Sequence, residues 1–252
     1  MASPRIYVTG RIALENGTRL AEEHHLPGRQ GRLAFAFLIL QRHFSANRDE
    51  LVNVLWAEDP PCELDTSLSA ILSKLRSVLR KVGVDARIDV RFGTVQLHLP
   101  ADTWIDLEEA ANSIDEAEGA LRIGSLPRGW GLANVAVCIG RRSFLPDEEA
   151  PWIELQRSKL RALLVRGLEC LSEISLRNGE SALAIQYAAE IVEHERFRET
   201  AYQRLMRLHA GMGNRSEALR IFARCRELLR EELGASPSPE TDSLFQQILR
   251  AR

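Results

Sequence analysis

The stretch from Asp65 to Gly83, DTSLSAILSKLRSVLRKVG, carries four basic side chains and, after its first residue, no acid. At about 100° per residue Leu68, Leu72, Leu75 and Leu79 fall on one side, with Ile71 and Val78 on its shoulder, so the spacing predicts an amphipathic helix with a buried stripe. Opposite the stripe Thr66, Ala70, Ser73 and Ser77 form a narrow line of small side chains. Arg76 and Arg80 flank that line on one side, Lys74 and Lys81 on the other. Small residues along the middle let a helix sink into the major groove of a duplex, where hydroxyls meet base edges and the long cations reach the phosphate walls. A solvated helix normally alternates its charge signs. The competing reading is that basic residues near a helix C-terminus only complement the macrodipole, and Arg80 and Lys81 do stand there.

Working outward, the neighbouring segments favour the groove reading. Gln30 to His43 has the pattern of a strongly apolar helix. Asn47 or Asp49 caps a second helix through RDELVNVLW, and Pro60-Pro61 breaks it. Asp65 or Thr66 is the expected N-cap of the third helix and Gly83 its stop. Before these helices, RIYVTGRIALENGTRL (5–20) has short β-favouring runs around Asn16-Gly17. After them, ARIDVRFGTVQLHLP (86–100) alternates apolar and polar residues around Gly93-Thr94, as a hairpin does. Strands, three helices and a hairpin make a winged helix-turn-helix preceded by a small antiparallel sheet, over residues 1–103.

Residues 104–252 read as all-α. Helices are expected at 106–122, 152–177, 180–194, 199–211, 215–233 and 239–250, while the segment that follows the first of these up to Gly140, glycine-rich and with Pro127, is harder to place. NGESALAI (178–185) recurs as NRSEALRI (214–221), an offset of 36 residues. With Ala218 at the small position of a tetratricopeptide unit, Tyr202, Leu205, Gly213 and Phe222 fall where that repeat of about 34 residues wants an aromatic, a Leu, a turn Gly and an aromatic. Generic helix-hairpin packing is the other reading. The fold class is therefore mainly α with a small β component, a winged helix-turn-helix followed by a tetratricopeptide-like helical-repeat domain.

The net charge of −2 over 252 residues hides a split, +2 over residues 1–100 and −4 over the remainder. No acid occurs from His24 to Arg48 or from Thr66 to Val84, and this local clustering sets the potential a phosphate meets. The start, MASPRIYVTG, lacks an apolar signal region, and the longest apolar run, LAFAFLIL (33–40), is too short to span a bilayer. A soluble, cytoplasmic protein without membrane partners is expected. Cys62, Cys138, Cys170 and Cys225 are scattered without metal-site spacing and are expected to be reduced and mostly buried. No P-loop, GxSxG, GxGxxG or HExxH motif occurs, so neither an enzyme nor a cofactor or metal is expected. Trp56, Trp104, Trp130 and Trp152 are read as packing anchors.

The order LPGRQGRLAFAFLIL, RDELVNVLWAEDPP, TSLSAILSKLRSVLRKVG resembles the OmpR-type winged helix of the Streptomyces antibiotic regulatory protein family. FLPDEEAPWIELQRSKL (144–160) and EALRIFARCRELLREELGASPSPET (217–241) are similar to its bacterial transcriptional activator domain. The resemblance implies a transcriptional activator that binds double-stranded DNA at promoter direct repeats, contacts RNA polymerase and forms a homo-oligomer on its site. The candidate contacts on the recognition helix are Thr66, Ser67, Ser69, Ser73, Lys74, Arg76, Ser77 and Arg80. The resemblance assigns bases to Ser69, Ser73, Lys74 and Ser77, and phosphates to Thr66, Arg76 and Arg80. Arg29, Arg32 and Arg48 at helix starts, and Arg87 and Arg91 beside the wing, are candidate backbone contacts. The chain departs from the family at the wing, where Val95-Gln96 replaces a Tyr-Arg-like step, and at Ser73-Lys74, where Arg pairs are common. Both changes weaken phosphate binding. Two alternatives stand beside this reading: a helical-repeat scaffold whose winged part binds protein, and a ligand-sensing regulator in which Arg128, Arg141 and Arg142 meet an anion.

Overall fold

A computed structural model describes residues 3–57 and 59–250. The chain divides into two compact units, one made of Met1–Glu109 with Arg142–Leu160, the other of Ala110–Arg141 with Arg161–Arg252. The sequence had placed a single cut at 103/104. The structure instead assigns 142–160 to the winged unit.

The winged unit begins with strands β1 (Arg5–Tyr7), β2 (Ala13–Asn16) and β3 (Arg19–Glu22), antiparallel neighbours. Helix α1 (Gly28–Leu40) follows, then β4 (Ala46–Asn47), α2 (Arg48–Trp56) and α3 (Leu64–Val82). The wing is β5 (Arg87–Arg91) and β6 (Thr94–His98), and β7 (Trp104–Ile105) closes the part. Two sheets result, ordered β3-β2-β1-β7 and β4-β6-β5. The first was expected to be purely antiparallel, but β7 joins β1 in parallel, pairing Ile6 with Ile105. At two residues, β7 is too short to show alternation in sequence.

The apolar stripes of the helices meet in one core. Leu33, Ala34, Phe35 and Ile39 of α1 are buried with Leu51 and Leu55 of α2, Leu68, Leu72, Leu75 and Leu79 of α3, and Val95 and Leu97 of β6. The Leu, Ile, Val and Phe side chains among them each contribute about 1.5–3 kcal/mol when fully buried. Val78, expected on the shoulder, is buried as well. Asn47 caps α2 by accepting the Asp49 N–H at 2.8 Å. The cap of α3 differs from expectation: the helix starts at Leu64, so Asp65 lies inside the first turn, where its charge complements the dipole. Gly83 ends α3 at φ 75°, and the side-chain amide of Asn16 donates to its carbonyl at 2.7 Å. The first hairpin thereby covers the C-terminal carbonyls of α3.

Residues 142–160 are bound to this unit by several independent contacts. Thr9 bridges Phe144, the Gly10 amide donates to the Ser143 carbonyl at 2.7 Å and Trp152 meets Phe37 edge-on, while within the segment Trp152 also meets Phe144 and the Arg157 guanidinium donates to the carbonyls of Phe144 and Glu148 at 2.9 Å. Asp106 is fully buried and accepts from the Thr9 hydroxyl at 2.7 Å and from the Val8, Thr9 and Leu107 amides. Burial pushes its carboxyl above the usual range, and those hydrogen bonds pull back only part of the shift.

The second unit is all helix. It takes in most of α4 (Asp106–Arg122), then α5 (Leu126–Gly140), most of α6 (Pro151–Arg177), α7 (Ser181–His194), α8 (Glu199–Gly211), α9 (Arg215–Leu233) and α10 (Pro239–Arg250). The unassigned segment of the sequence is thus helix α5. A Cβ on Gly140 would stand 2.9 Å from the Leu164 Cβ, and one on Gly167 2.6 Å from a Val137 methyl. Of the glycines in that segment, Gly129 and Gly140 are places where α5 comes close to α6, whereas Gly131 has open space around it.

The repeat reading holds in detail. Tyr202, Leu205, Ala218 and Phe222 are buried, Gly213 turns at φ 77°, and the Tyr202 hydroxyl donates to the Arg196 carbonyl at 2.9 Å. Two expectations fail in this unit or beside it. Trp130 is 47% exposed and anchors little, while the other three tryptophans are half-buried. Of the free cysteines, Cys170 and Cys225 are buried, their thiols pushed up to about 11 by burial, whereas Cys62 and Cys138 are exposed. Among the described residues no helix is long and apolar enough to cross a membrane.

Candidate nucleic-acid interface

Helix α3 presents the side opposite its apolar stripe to solvent. Thr66, Ser69, Ala70, Ser73, Lys74, Arg80 and Lys81 are exposed. Ser67, Arg76 and Ser77 are half-buried. Lys74, Arg80 and Lys81 make no ion pair or side-chain hydrogen bond among the described residues. Thr66, Ala70 and Ser73 of the line therefore stand open beside Lys74, Arg80 and Lys81, whose charge no ion pair among the described residues neutralises, while Ser77 at its end is half-buried.

The remaining candidate cations are placed differently. Arg76 folds against the wing, donating from Nε and Nη2 to the Ile88 carbonyl at 3.2 and 2.8 Å. It ties α3 to β5 and offers a phosphate only what the carbonyl leaves free. Arg48 pairs with Asp65 in the first turn of α3 and lies 3.7 Å from Asp49. Arg87 is held at 3.1 Å by Asp89, which His98 also approaches.

Arg29 and Arg32 both reach Glu148, at 2.6 and 3.1 Å. Glu148 is only 4% exposed, and the two guanidiniums satisfy its carboxylate where water cannot. These two arginines fix residues 142–160 to α1 rather than project toward a ligand. Arg91 is exposed near the wing tip with no ion pair among the described residues. The structure thus brings Lys74, Arg80 and Arg91 to an open surface and gives the other candidate cations internal partners. Lys81 joins the open set. Its position on the flank was legible from the helical period, but the C-terminal dipole offered a competing reason for its charge.

Below α3, Arg76, Arg80, Gly83, Asp85 and Arg87 line a cleft of about 460 Å³ between the helix end and the wing. Two of its three guanidiniums already have internal partners, so Arg80 is the arginine there with its charge unspent. In the helical unit Arg128 pairs with Glu116 and Arg141 with Glu190, both at 2.8 Å, and pairing holds the Arg141 guanidinium above its ordinary value. These pairs remove two of the three arginines from the expected anion site. Arg142 instead lines a cavity of about 510 Å³ with Tyr7, Thr9, Arg11 and Glu15 on the first sheet.

Comparison with known proteins bears on this arrangement. The family described as bacterial transcriptional activator domain matches residues 105–249. Regulatory protein AfsR of Streptomyces griseus is 29% identical over 223 residues, covering 88% of this chain and 22% of that protein. Regulatory protein DnrI of Streptomyces peucetius is 28% identical over 250 residues, 95% of this chain and 89% of DnrI. Transcriptional regulatory protein EmbR of Mycobacterium tuberculosis is 23% identical over 222 residues, 87% of this chain and 57% of EmbR. This chain therefore spans about a fifth of AfsR and somewhat over half of EmbR. A solved structure of M. tuberculosis EmbR in complex with a low-affinity phosphopeptide superposes with TM-score 0.85 at 21% identity, covering 98% of this chain and 65% of that one, which establishes the likeness of fold. With the family match over more than half its length, the chain belongs to the bacterial transcriptional activator domain family.

Proposed function

We propose that this protein activates transcription by binding specific duplex DNA at promoter repeats, with α3 seated in the major groove. The observation that carries the reading is the open line of Thr66, Ser69, Ala70 and Ser73 between the unpaired cations Lys74, Arg80 and Lys81. Ser69 and Ser73 offer hydroxyls to base edges, Lys74 adds a donor beside them, and Arg80 and Lys81 face the two phosphate walls. Arg76 and Arg48 act on the protein's own frame, fixing the wing and α2 to α3.

A single winged unit with few free cations binds a duplex weakly, so two subunits on adjacent direct repeats supply the affinity one lacks. The helical unit is the surface offered to RNA polymerase. Support for this division is the family membership of residues 105–249 and the regulatory names of the relatives. The test is footprinting of the full chain on DNA upstream of its own gene and its neighbours. Protection of a repeated sequence at low salt, lost in the double variant Ser73→Asp and Arg80→Ala, is the expected result. Equal affinity for all duplexes defeats the proposal.

A further inference from the structure

The wing ends in a turn that does not suit its own sequence. Arg91 pairs with Thr94, which leaves Phe92 and Gly93 as a two-residue loop at φ 50° and 73°. The sequence reading had centred this turn one residue later, on Gly93-Thr94. Two positive φ angles define the turn that favours Asn-Gly, Asp-Gly or Gly-Gly, and a bulky aromatic at the first position is an outlier. Phe92 gains nothing from packing in exchange, since it is fully exposed at 102%. Val90, two residues earlier on the same side of β5, is 47% exposed. A large apolar ring held in a strained, solvent-facing position points to a function outside the folded chain.

The surroundings identify what the ring meets. The Gly93 carbonyl accepts the Arg48 amide at 2.9 Å, and the Arg48 side chain pairs with Asp65 in the first turn of α3. The tip is thus fixed to the start of the helix that carries the open line of small residues, and one rigid ligand touches both. From Val90 to Ala101 there is no acid, and the exposed Arg91 adjoins the ring. Asp89 is turned away onto Arg87 and His98. An apolar point flanked by unopposed positive charge complements a polyanion with an apolar interior, which is duplex DNA, better than an apolar protein pocket.

We propose that Phe92 is a wedge. It enters the minor groove beside the segment read by α3 and opens a base step, so that the protein senses how easily that step deforms. Apolar side chains inserted this way unstack a step and kink the duplex. A pyrimidine–purine step at a fixed distance from the repeat is the preferred substrate, because such steps unstack most readily. The wedge takes over, by stacking, the anchoring that Val95-Gln96 no longer supplies by charge.

This inference rests on the major-groove reading of α3, and the experiment separates the two. The full chain, Phe92→Asn and Arg91→Ala are titrated on a footprinted duplex carrying 2-aminopurine at successive steps, with bending read by energy transfer between labelled ends. Asn suits the turn, so that variant keeps or raises its melting temperature. Its affinity is expected to fall about tenfold with loss of one base–ring stack. Bending and the 2-aminopurine signal vanish, while the salt slope is unchanged. Arg91→Ala is expected to lower the slope and keep the bend. If the wild-type chain protects no duplex, the major-groove reading falls and the wedge with it. If the wild type binds and Phe92→Asn binds and bends equally, or loses affinity when the wild type never bent the duplex, the wedge alone is refuted.

Discussion

Replacing Arg80 by alanine is expected to flatten the dependence of log affinity on log salt by about 0.9 per bound subunit, since each phosphate neutralised releases a counterion. The structure sets the total as well as the increment. Arg80, Lys81 and Arg91 stand exposed on α3 and the wing without ion pairs among the described residues, which gives a slope of about −2.7 per bound subunit. Had Arg76, Arg29, Arg32, Arg48 and Arg87 met phosphates as well, as the sequence allowed, the slope would be about −7 per subunit. Between about 50 and 200 mM salt these values mean a loss of roughly 40-fold against roughly 20,000-fold for each subunit bound. Anisotropy titrations of the footprinted duplex across a salt series distinguish them. Arg29→Ala is the internal control, because its guanidinium lies on Glu148 and its removal leaves the slope in place. A slope near −7 per bound subunit, with the stoichiometry read from the same titrations, or an Arg29→Ala variant that flattens it as much as Arg80→Ala does, refutes the assignment of free and committed cations.

Three further outcomes follow from the packing. Glu148→Ala leaves Arg29 and Arg32 without their carboxylate; because Arg29 is half exposed and regains water, the loss is about 2 kcal/mol, below that of a fully buried pair, and denaturant unfolding of the winged unit reads it. Gly140→Ala drives a Cβ to within 3.1 Å of the Leu164 Cα and is expected to lower the melting temperature at a cost of about 1–3 kcal/mol, whereas Gly131→Ala, with open space around it, raises stability by up to about 1 kcal/mol. Equal shifts for the two would overturn the close-approach account. Glu199 accepts from the Ser238 amide at 2.8 Å and from the Ser238 and Thr241 hydroxyls. Burial alone would raise its carboxyl, but these bonds outweigh it and hold the group below its usual value. A lowered folded value means stability present above the ordinary glutamate range and lost as pH falls through the folded one. Glu199→Gln should therefore flatten the acid side of the melting curve, and parallel curves for variant and wild type would reject the network.

What the sequence revealed and what it hid divide along physical lines. The core faces of α1 to α3, the repeat around Ala218 and the bounds of α6 to α10 were legible because period and caps are local. Helix α5 was not, since Gly129 and Gly140 weaken a helix by propensity and are tolerated only because α6 lies against them. The destination of Arg29 and Arg32 was hidden for a different reason. Their partner is more than 110 residues away, and nothing near Glu148 marks it as buried. On α3 the period showed which side chains face out, but the folding of Arg76 onto Ile88 needed the position of the wing. Phe92 escaped notice because an aromatic beside a glycine reads as strand, and only its φ and exposure set it apart.

The fate of Arg29 and Arg32 also explains why the winged unit is discontinuous in sequence. A carboxylate buried as deeply as Glu148 needs hydrogen-bonding partners, and at α1 the guanidiniums of Arg29 and Arg32 supply them. Arg157 then ties the Phe144 and Glu148 carbonyls, and Trp152 fills the edge of Phe37. The Phe144 bridge, the Glu148 ion pairs and the Trp152 ring contact each use a winged-unit surface that a fragment ending near residue 103 would expose: the backbone at Thr9, two like charges side by side and an apolar ring. The acid-free window from His24 to Arg48, taken alone, reads as a second patch for DNA. With Glu148 in place its first two arginines share one carboxylate, so the two charges there fall to a net +1, and the cations without ion pairs among the described candidates are those on α3 and the wing, where the line of small side chains lies.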